Sequence, residues 1–261
     1  MESRESTMLP KIRADFDEEG VYFYQAFQPS IANYAIENQR FGGDDFKPVR
    51  MTWIKPSFAW VLYRSGYASK CNQERILKVK LPHAAVASLL AACHCPGGGL
   101  DSASPPASLR SVVQVDDMES DTKPPCAQRS AGSRGVVQWD PERDVMTCDP
   151  KNKKVPRKML RQRSIQIGLQ GGLSEFYVQS ALSIEDVTEQ ARAVGRAHQQ
   201  KKSADCEAAM RALLQEGALP NERLYEARLL QERHKLRLGL LPGEAADRIT
   251  QLGRGGVPNP K

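Results

Sequence analysis

Two kinds of hydrophobic spacing run along this chain and together predict an α+β domain. VYFYQAF, 21–27, is rich in β-favouring residues and reads as a strand; a helix follows from about Pro29 to Arg40, stopped by Gly42 and Gly43. Pro56 suits a first helical position and Gly66 a left-handed close, so a second helix is expected between them, with Phe58, Val61 and Leu62 toward a core and Ser57, Trp60 and Arg64 on another flank. ERILKVKL, 74–81, alternates Leu77, Val79 and Leu81 with Lys78 and Lys80, the pattern of a half-buried strand, and an Ala-rich helix runs on to about Cys93.

From 94 to 134 neither period survives, and Gly, Pro, Ser and Asp dominate; the composition predicts a disordered insertion. GVVQWDPERD, 135–144, reads as a short strand that Asp140 and Pro141 stop in a turn. A basic connection with Lys151, Lys153, Lys154, Arg157, Lys158 and Arg161 leads into RSIQIGL, 163–169, where Ile165, Ile167 and Leu169 alternate with Ser164, Gln166 and Gly168. Ser183, with Asp186 three residues on, predicts an N-cap and a helix to about His198, followed by helices over about 204–216 and 222–238. The expected architecture is a single α+β domain over 11–240 with a mixed or antiparallel sheet, a helical C-terminal third and the internal insertion, ending in a flexible tail at 241–261.

Composition narrows the function classes. With 261 residues and 40% hydrophobic content the chain can bury a sizeable core, and thirteen of its seventeen aromatic residues lie between Phe16 and Tyr67. A formal charge of +6 favours anionic partners without selecting one. The first residues, MESRESTMLPKIR, contain no apolar signal region and no stretch is long enough to span a bilayer, so a soluble intracellular protein, cytoplasmic or nuclear, with no membrane partner is expected. Cys93, His94 and Cys95 lack a second ligand pair, and no metal site is expected. No phosphate-binding G-x-x-x-x-G-K-[ST] loop, G-x-G-x-x-G turn, H-E-x-x-H or G-x-S-x-G is present.

The candidate chemistry is concentrated in RMTWIKPSFAWVLYRSG, 50–66, which sets aromatic rings among Arg50, Lys55 and Arg64. A guanidinium beside an aromatic ring suits a phosphate, a carboxylate or a stacked base. Arg50, Thr52, Trp53, Lys55, Tyr63 and Arg64 are therefore candidate ligand contacts. Gln25, Gln138 and Gln166 each occupy a strand position where an apolar residue or a charge is the default, and a buried amide at Gln25 must be satisfied by the fold or by a ligand. Arg163 and Ser164 open the RSIQIGL strand and place a guanidinium and a hydroxyl at a sheet edge, a common location for anion contacts. Asp140 and Glu142 read as an ordinary turn rather than a carboxylate pair.

VYFYQAF, RMTWIKPSFAWVLYRSG, VVQWDPERD, RSIQIGL, SIEDVT and LPNERLY occur in an order that resembles the family catalogued as domain of unknown function 4291, over about 11–93 and 135–240. The insertion and the long basic link before RSIQIGL depart from that family's pattern. The resemblance implies a compact intracellular domain and no established activity. Element order is also similar to the ADP-ribosyltransferase-like fold: a strand ending in Tyr-Gln, a helix, an aromatic and basic segment with Arg64, then a strand. That likeness implies a cleft for a nicotinamide nucleotide, with NAD as a candidate cofactor. The expected function is binding of a phosphate-bearing nucleotide by Gln25, the 50–66 segment, Arg163, Ser164 and Gln166, with group transfer as its enzymatic form. The alternatives are a non-catalytic binder of RNA or single-stranded DNA, which would use the basic connection and stacked Trp rings, and an interaction scaffold.

Overall fold

The computed structural model describes residues 11–95, 133–146 and 158–231, together with 234–235, 238 and 240. The 94–134 insertion lies outside the described residues except at its ends, as do the tail at 241–261 and residues 147–157 of the basic connection. At those ends, His94 pairs in parallel with Val136, and Arg134 already belongs to a strand.

Two antiparallel three-stranded sheets form the frame. The first has the order β2-β4-β7, from β2 (Gly20–Phe27), β4 (Arg75–Pro82) and β7 (Ser183–Asp186). The second has the order β3-β6-β5, from β3 (Thr52–Ile54), β6 (Lys158–Gln170) and β5 (Arg134–Asp144). A two-stranded ribbon pairs β1 (Arg13–Ala14) with β8 (Arg223–Leu224). The described helices are α1 (Pro29–Asn38), α2 (Phe58–Ser65), α3 (His83–Ala92), α4 (Gly172–Ser180), α5 (Thr188–His198) and α6 (Ser203–Gln215).

The period-two runs explain how these layers pack. Leu77, Val79 and Leu81 of β4 join Val21 and Phe23 of β2 in the main core, where Ile165, Ile167 and Leu169 of the central strand β6 also lie. The opposite face of the first sheet presents Tyr24 and Ile76 to a second cluster, built by Phe58, Val61 and Leu62 of α2 with Ala191 and Val194 of α5 and Met210 of α6. Gly66 closes α2 at φ 60°, ψ 41°, a conformation that costs a glycine little.

Several local expectations are corrected. The 135–144 strand does not stop at Asp140: Pro141 faces Arg163 inside β5, and the irregularity falls between Pro141 and Arg143. β5 is an edge strand, where a proline without an N–H is tolerated, and the register shift follows directly after it. Ser183 is a strand residue rather than an N-cap; the N-cap is Val187, whose side chain has no group to cap with, and Asp186 before it accepts from the Thr188 N–H at 2.9 Å and from the Thr188 hydroxyl. Ser57, not Pro56, opens α2, and its hydroxyl accepts from the Trp60 N–H at 3.2 Å. Over 222–231 the expected helix gives way to β8 and turns, while His234 and Lys235 are helical and 232–233 and 236–237 lie outside the described residues. Thr52–Ile54 had no strand signal of its own, since three residues are too few to show a period.

Candidate functional site: a cleft where two sheets part

Residues of β2 and β3 meet at one bridge between the two sheets. The Tyr24 N–H donates to the Lys55 carbonyl at 2.6 Å and the Lys55 N–H returns to Tyr24 at 3.3 Å. Beyond that bridge a side chain takes over the connection. The Gln25 amide nitrogen donates to Thr52 Oγ1 at 2.9 Å and to the Trp53 carbonyl at 3.1 Å, while its Oε1 accepts from the Tyr177 hydroxyl of α4. The strands diverge around this amide and leave a cavity of about 230 Å³. Its walls are Gln25, Ala26 and Phe27 from β2, Met51, Thr52, Trp53 and Lys55 around β3, Val61 and Arg64 from α2, and Gln73. Behind it the Phe27 ring lies 5.2 Å from Phe41, which stacks at 5.6 Å on Tyr177.

Among the described residues no carboxylate lines this cavity. Lys55 contributes an ammonium held in place by its own paired backbone, and desolvation, reinforced by the nearby Arg64 guanidinium, pulls its pKa down to about 8 against the weaker pull of Asp140. Neither the Lys55 ammonium nor the Arg64 guanidinium has a hydrogen-bond or ion-pair partner among the described residues. Arg64 occupies the last turn of α2, where a cation is favoured by the helix dipole. Trp53 adds a ring: it projects over Gly168 of β6, so that a Cβ placed there would meet the indole at 2.9 Å.

Of the residues singled out in the sequence, Gln25, Thr52, Trp53, Lys55 and Arg64 line this cavity together. Arg50 is exposed and outside its lining. Tyr63 stacks on Trp60 at 5.3 Å, and the Arg143 guanidinium lies over both rings, 3.9 Å from Tyr63 and 5.9 Å from Trp60. On the second sheet, Gln166 donates to Gln138 at 2.6 Å, Ser164 is buried opposite Asp140, and Arg163 is half-buried opposite Pro141. These three are outside the cavity lining, but Arg163 belongs to its electrostatic surroundings. Burial raises the Asp140 pKa, and Lys55, Arg64, Arg163 and Arg143 all oppose that rise, so the four cations share one carboxylate as a neighbour.

Sequence reasoning passed over Met51 and Phe27, which lie inside quoted segments but carry no polar group, and over Gln73 and Tyr177, which lie in none. Asp140 was visible only as part of a turn, and its Oδ2 is buried without a hydrogen-bond partner. A larger concavity of about 410 Å³, lined by Arg75, Asp186, Thr188, Glu189 and Arg192, is a weaker candidate. Its cations are already engaged, Arg75 with Asp186 and Asn33, and Arg192 with Glu189.

The model of one protein family, described as a domain of unknown function (DUF4291), matches residues 11–225. The chain belongs to this family. The match runs from β1 to the segment that holds Tyr225 and takes in every wall of the cleft. No curated protein matches the chain. Among the described residues no helix is long and apolar enough to cross a membrane, and no group of three His, Cys, Asp or Glu side chains is placed to hold a metal ion.

Proposed function

We propose that the cleft between β2 and β3 binds a phosphate-bearing nucleotide. The observation that carries this reading is a cavity that no carboxylate lines among the described residues, where the half-buried Lys55 ammonium and the exposed Arg64 guanidinium have no hydrogen-bond or ion-pair partner among those residues, beside the Trp53 ring. The half-buried Lys55 ammonium, left without an ion-pair partner, raises the free energy of the empty protein, and an anionic ligand reached also by the exposed Arg64 relieves that cost. Phosphate oxygens suit the two cations, and a base or nicotinamide ring suits the indole. In this reading Arg163 and Asp140 shape the field around the cleft from the second sheet.

A group-transfer role of the ADP-ribosyltransferase-like kind extends this proposal. It is supported by the order of β2 with Tyr24 and Gln25, then α1, the β3–α2 segment and β4, the order on which the fold-level likeness rests. NAD is then the donor nucleotide. Isothermal titration with ADP-ribose, NAD, AMP and pyrophosphate tests the binding step. Saturable binding of at least one, weakened tenfold or more by Arg64→Ala with an unchanged apo melting temperature, is the expected result. Failure of all four to bind would overturn the proposal.

A further inference from the structure

The Gln25 amide has a fixed orientation. The Trp53 carbonyl can only accept, so Nε2 must face it at 3.1 Å, and Oε1 is then turned to the Tyr177 hydroxyl, which must donate. Gln25 and Tyr177 are 3% and 0% exposed, so water does not offer them alternatives. The second Nε2 proton goes to Thr52 Oγ1 at 2.9 Å. Thr52 therefore accepts from Gln25, and its own hydroxyl proton has no acceptor among the described residues. Thr52 is half-buried in the cavity wall, with Lys55 and Arg64 in the same lining.

We infer that the Tyr177–Gln25 pair sets Thr52 as a hydrogen-bond donor into the cleft, and that the ligand group it meets is an acceptor-only phosphate such as one of a pyrophosphate. The inference rests on the nucleotide reading above and adds to it the polarity of the subsite. Three donors, Thr52, Lys55 and Arg64, line one cavity, and among the described residues no carboxylate lines it to accept their hydrogen bonds. A pyrophosphate diester offers acceptors alone near neutral pH, and a neutral hydroxyl or amine would leave part of the donor set unmatched. Tyr177, remote from the ligand on α4, is a positioning residue in this scheme.

Titration calorimetry with ADP-ribose on the whole chain tests the polarity. Thr52→Ser keeps the hydroxyl and binds within about twofold of the parent, while Thr52→Val loses about tenfold or more. In a Tyr177→Phe background, where the amide is no longer held from behind, Thr52→Val costs clearly less than in the parent, a non-additivity that loss of packing alone does not produce. Gln25→Met, which removes the amide at similar size, replaces Tyr177→Phe if the latter does not fold. Binding by Thr52→Val within twofold of the parent, while Arg64→Ala is weakened, overturns the inference and leaves the nucleotide reading standing. Equal losses for Thr52→Ser and Thr52→Val also overturn it, as does an undiminished Thr52→Val cost in the Tyr177→Phe or Gln25→Met background. A parent protein that binds none of the nucleotides or pyrophosphate removes both proposals together.

Discussion

The Glu222 carboxylate accepts a hydrogen bond from the Phe58 N–H at 2.7 Å, tying the segment before β8 to the first turn of the cleft helix α2. Glu142 reaches the same turn from β5 through the Ser57 hydroxyl at 2.7 Å. Burial, with the neighbouring Glu142 carboxylate as the next cause, raises the Glu222 pKa to about 8; the Phe58 hydrogen bond and Arg13 pull the other way, and Asp15 adds to the rise. The folded protein thus retains a proton that the unfolded chain has lost above its ordinary value of 4.5. Stability attributable to this group falls as pH rises between those two values, with a slope of up to about 1.4 kcal/mol per unit. Glu222→Gln keeps an acceptor for Phe58 and removes the titration. Urea denaturation of both proteins at pH 5.5 and 8.5 should show the variant gaining on the parent at the higher pH; a constant difference between them would remove the buried proton from the account.

Ile167 lies on the central strand β6, opposite Ile54 and Val137, and is 1% exposed. Truncation there leaves a cavity between two strands that cannot collapse onto it, so Ile167→Ala should cost about 2–5 kcal/mol. Chemical denaturation measures this directly, and a loss below 1 kcal/mol would mean that the inner face of the sheet is not packed as described.

The strands whose period is long enough to read, β2, β4 and the 163–169 part of β6, were legible in the sequence because each carries one continuous apolar face, but the burial of Tyr24 and Ile76 on the other face of the first sheet depends on α2 and α5 and was not. Less was legible where a longer-range partner decides the local structure. Pro141 stays in a strand because β5 is an edge, and Ser183 is drawn into β7 by pairing with Lys80. Five cleft residues could be named from residue type alone, since unpaired cations among aromatic rings are unusual. Their convergence depends on β2 and β3 parting after Tyr24 and Lys55, a tertiary relationship that no window of sequence contains. Tyr177 comes from α4, distant in sequence, and enters only through the Gln25 amide.

Gly168 is required by the Trp53 ring. A Cβ on residue 168 would stand 2.9 Å from the indole and 2.9 Å from the Met51 sulfur, and both of these line the cleft. The backbone there is extended β6, so Gly168→Ala should fold, but with the indole displaced from its position on the wall. Nucleotide affinity should fall severalfold and the tryptophan emission should shift, while the melting temperature changes by only a few degrees. Unchanged emission together with unchanged affinity would mean that Trp53 is not held by this contact.

Lys55 supplies the sharpest separation of function from stability. Its pKa of about 8 lies below the ordinary 10.5, so between those values the folded protein binds fewer protons than the unfolded chain and stability from this group rises with pH. Below pH 8 both states carry the charge, and the folded protein bears the full cost of keeping an ammonium beside Arg64 with little water. Lys55→Met keeps the side-chain length, removes the charge and preserves the backbone bridge to Tyr24. The variant should be more stable than the parent by about 1–3 kcal/mol at pH 7, with the gain shrinking above pH 9, and should bind nucleotide at least tenfold more weakly. Denaturation at pH 7 and 9.5, paired with calorimetry, reads both effects. If Lys55→Met were instead less stable at pH 7, the ammonium would be serving the fold, and the cleft would lose the feature that most favours an anionic ligand.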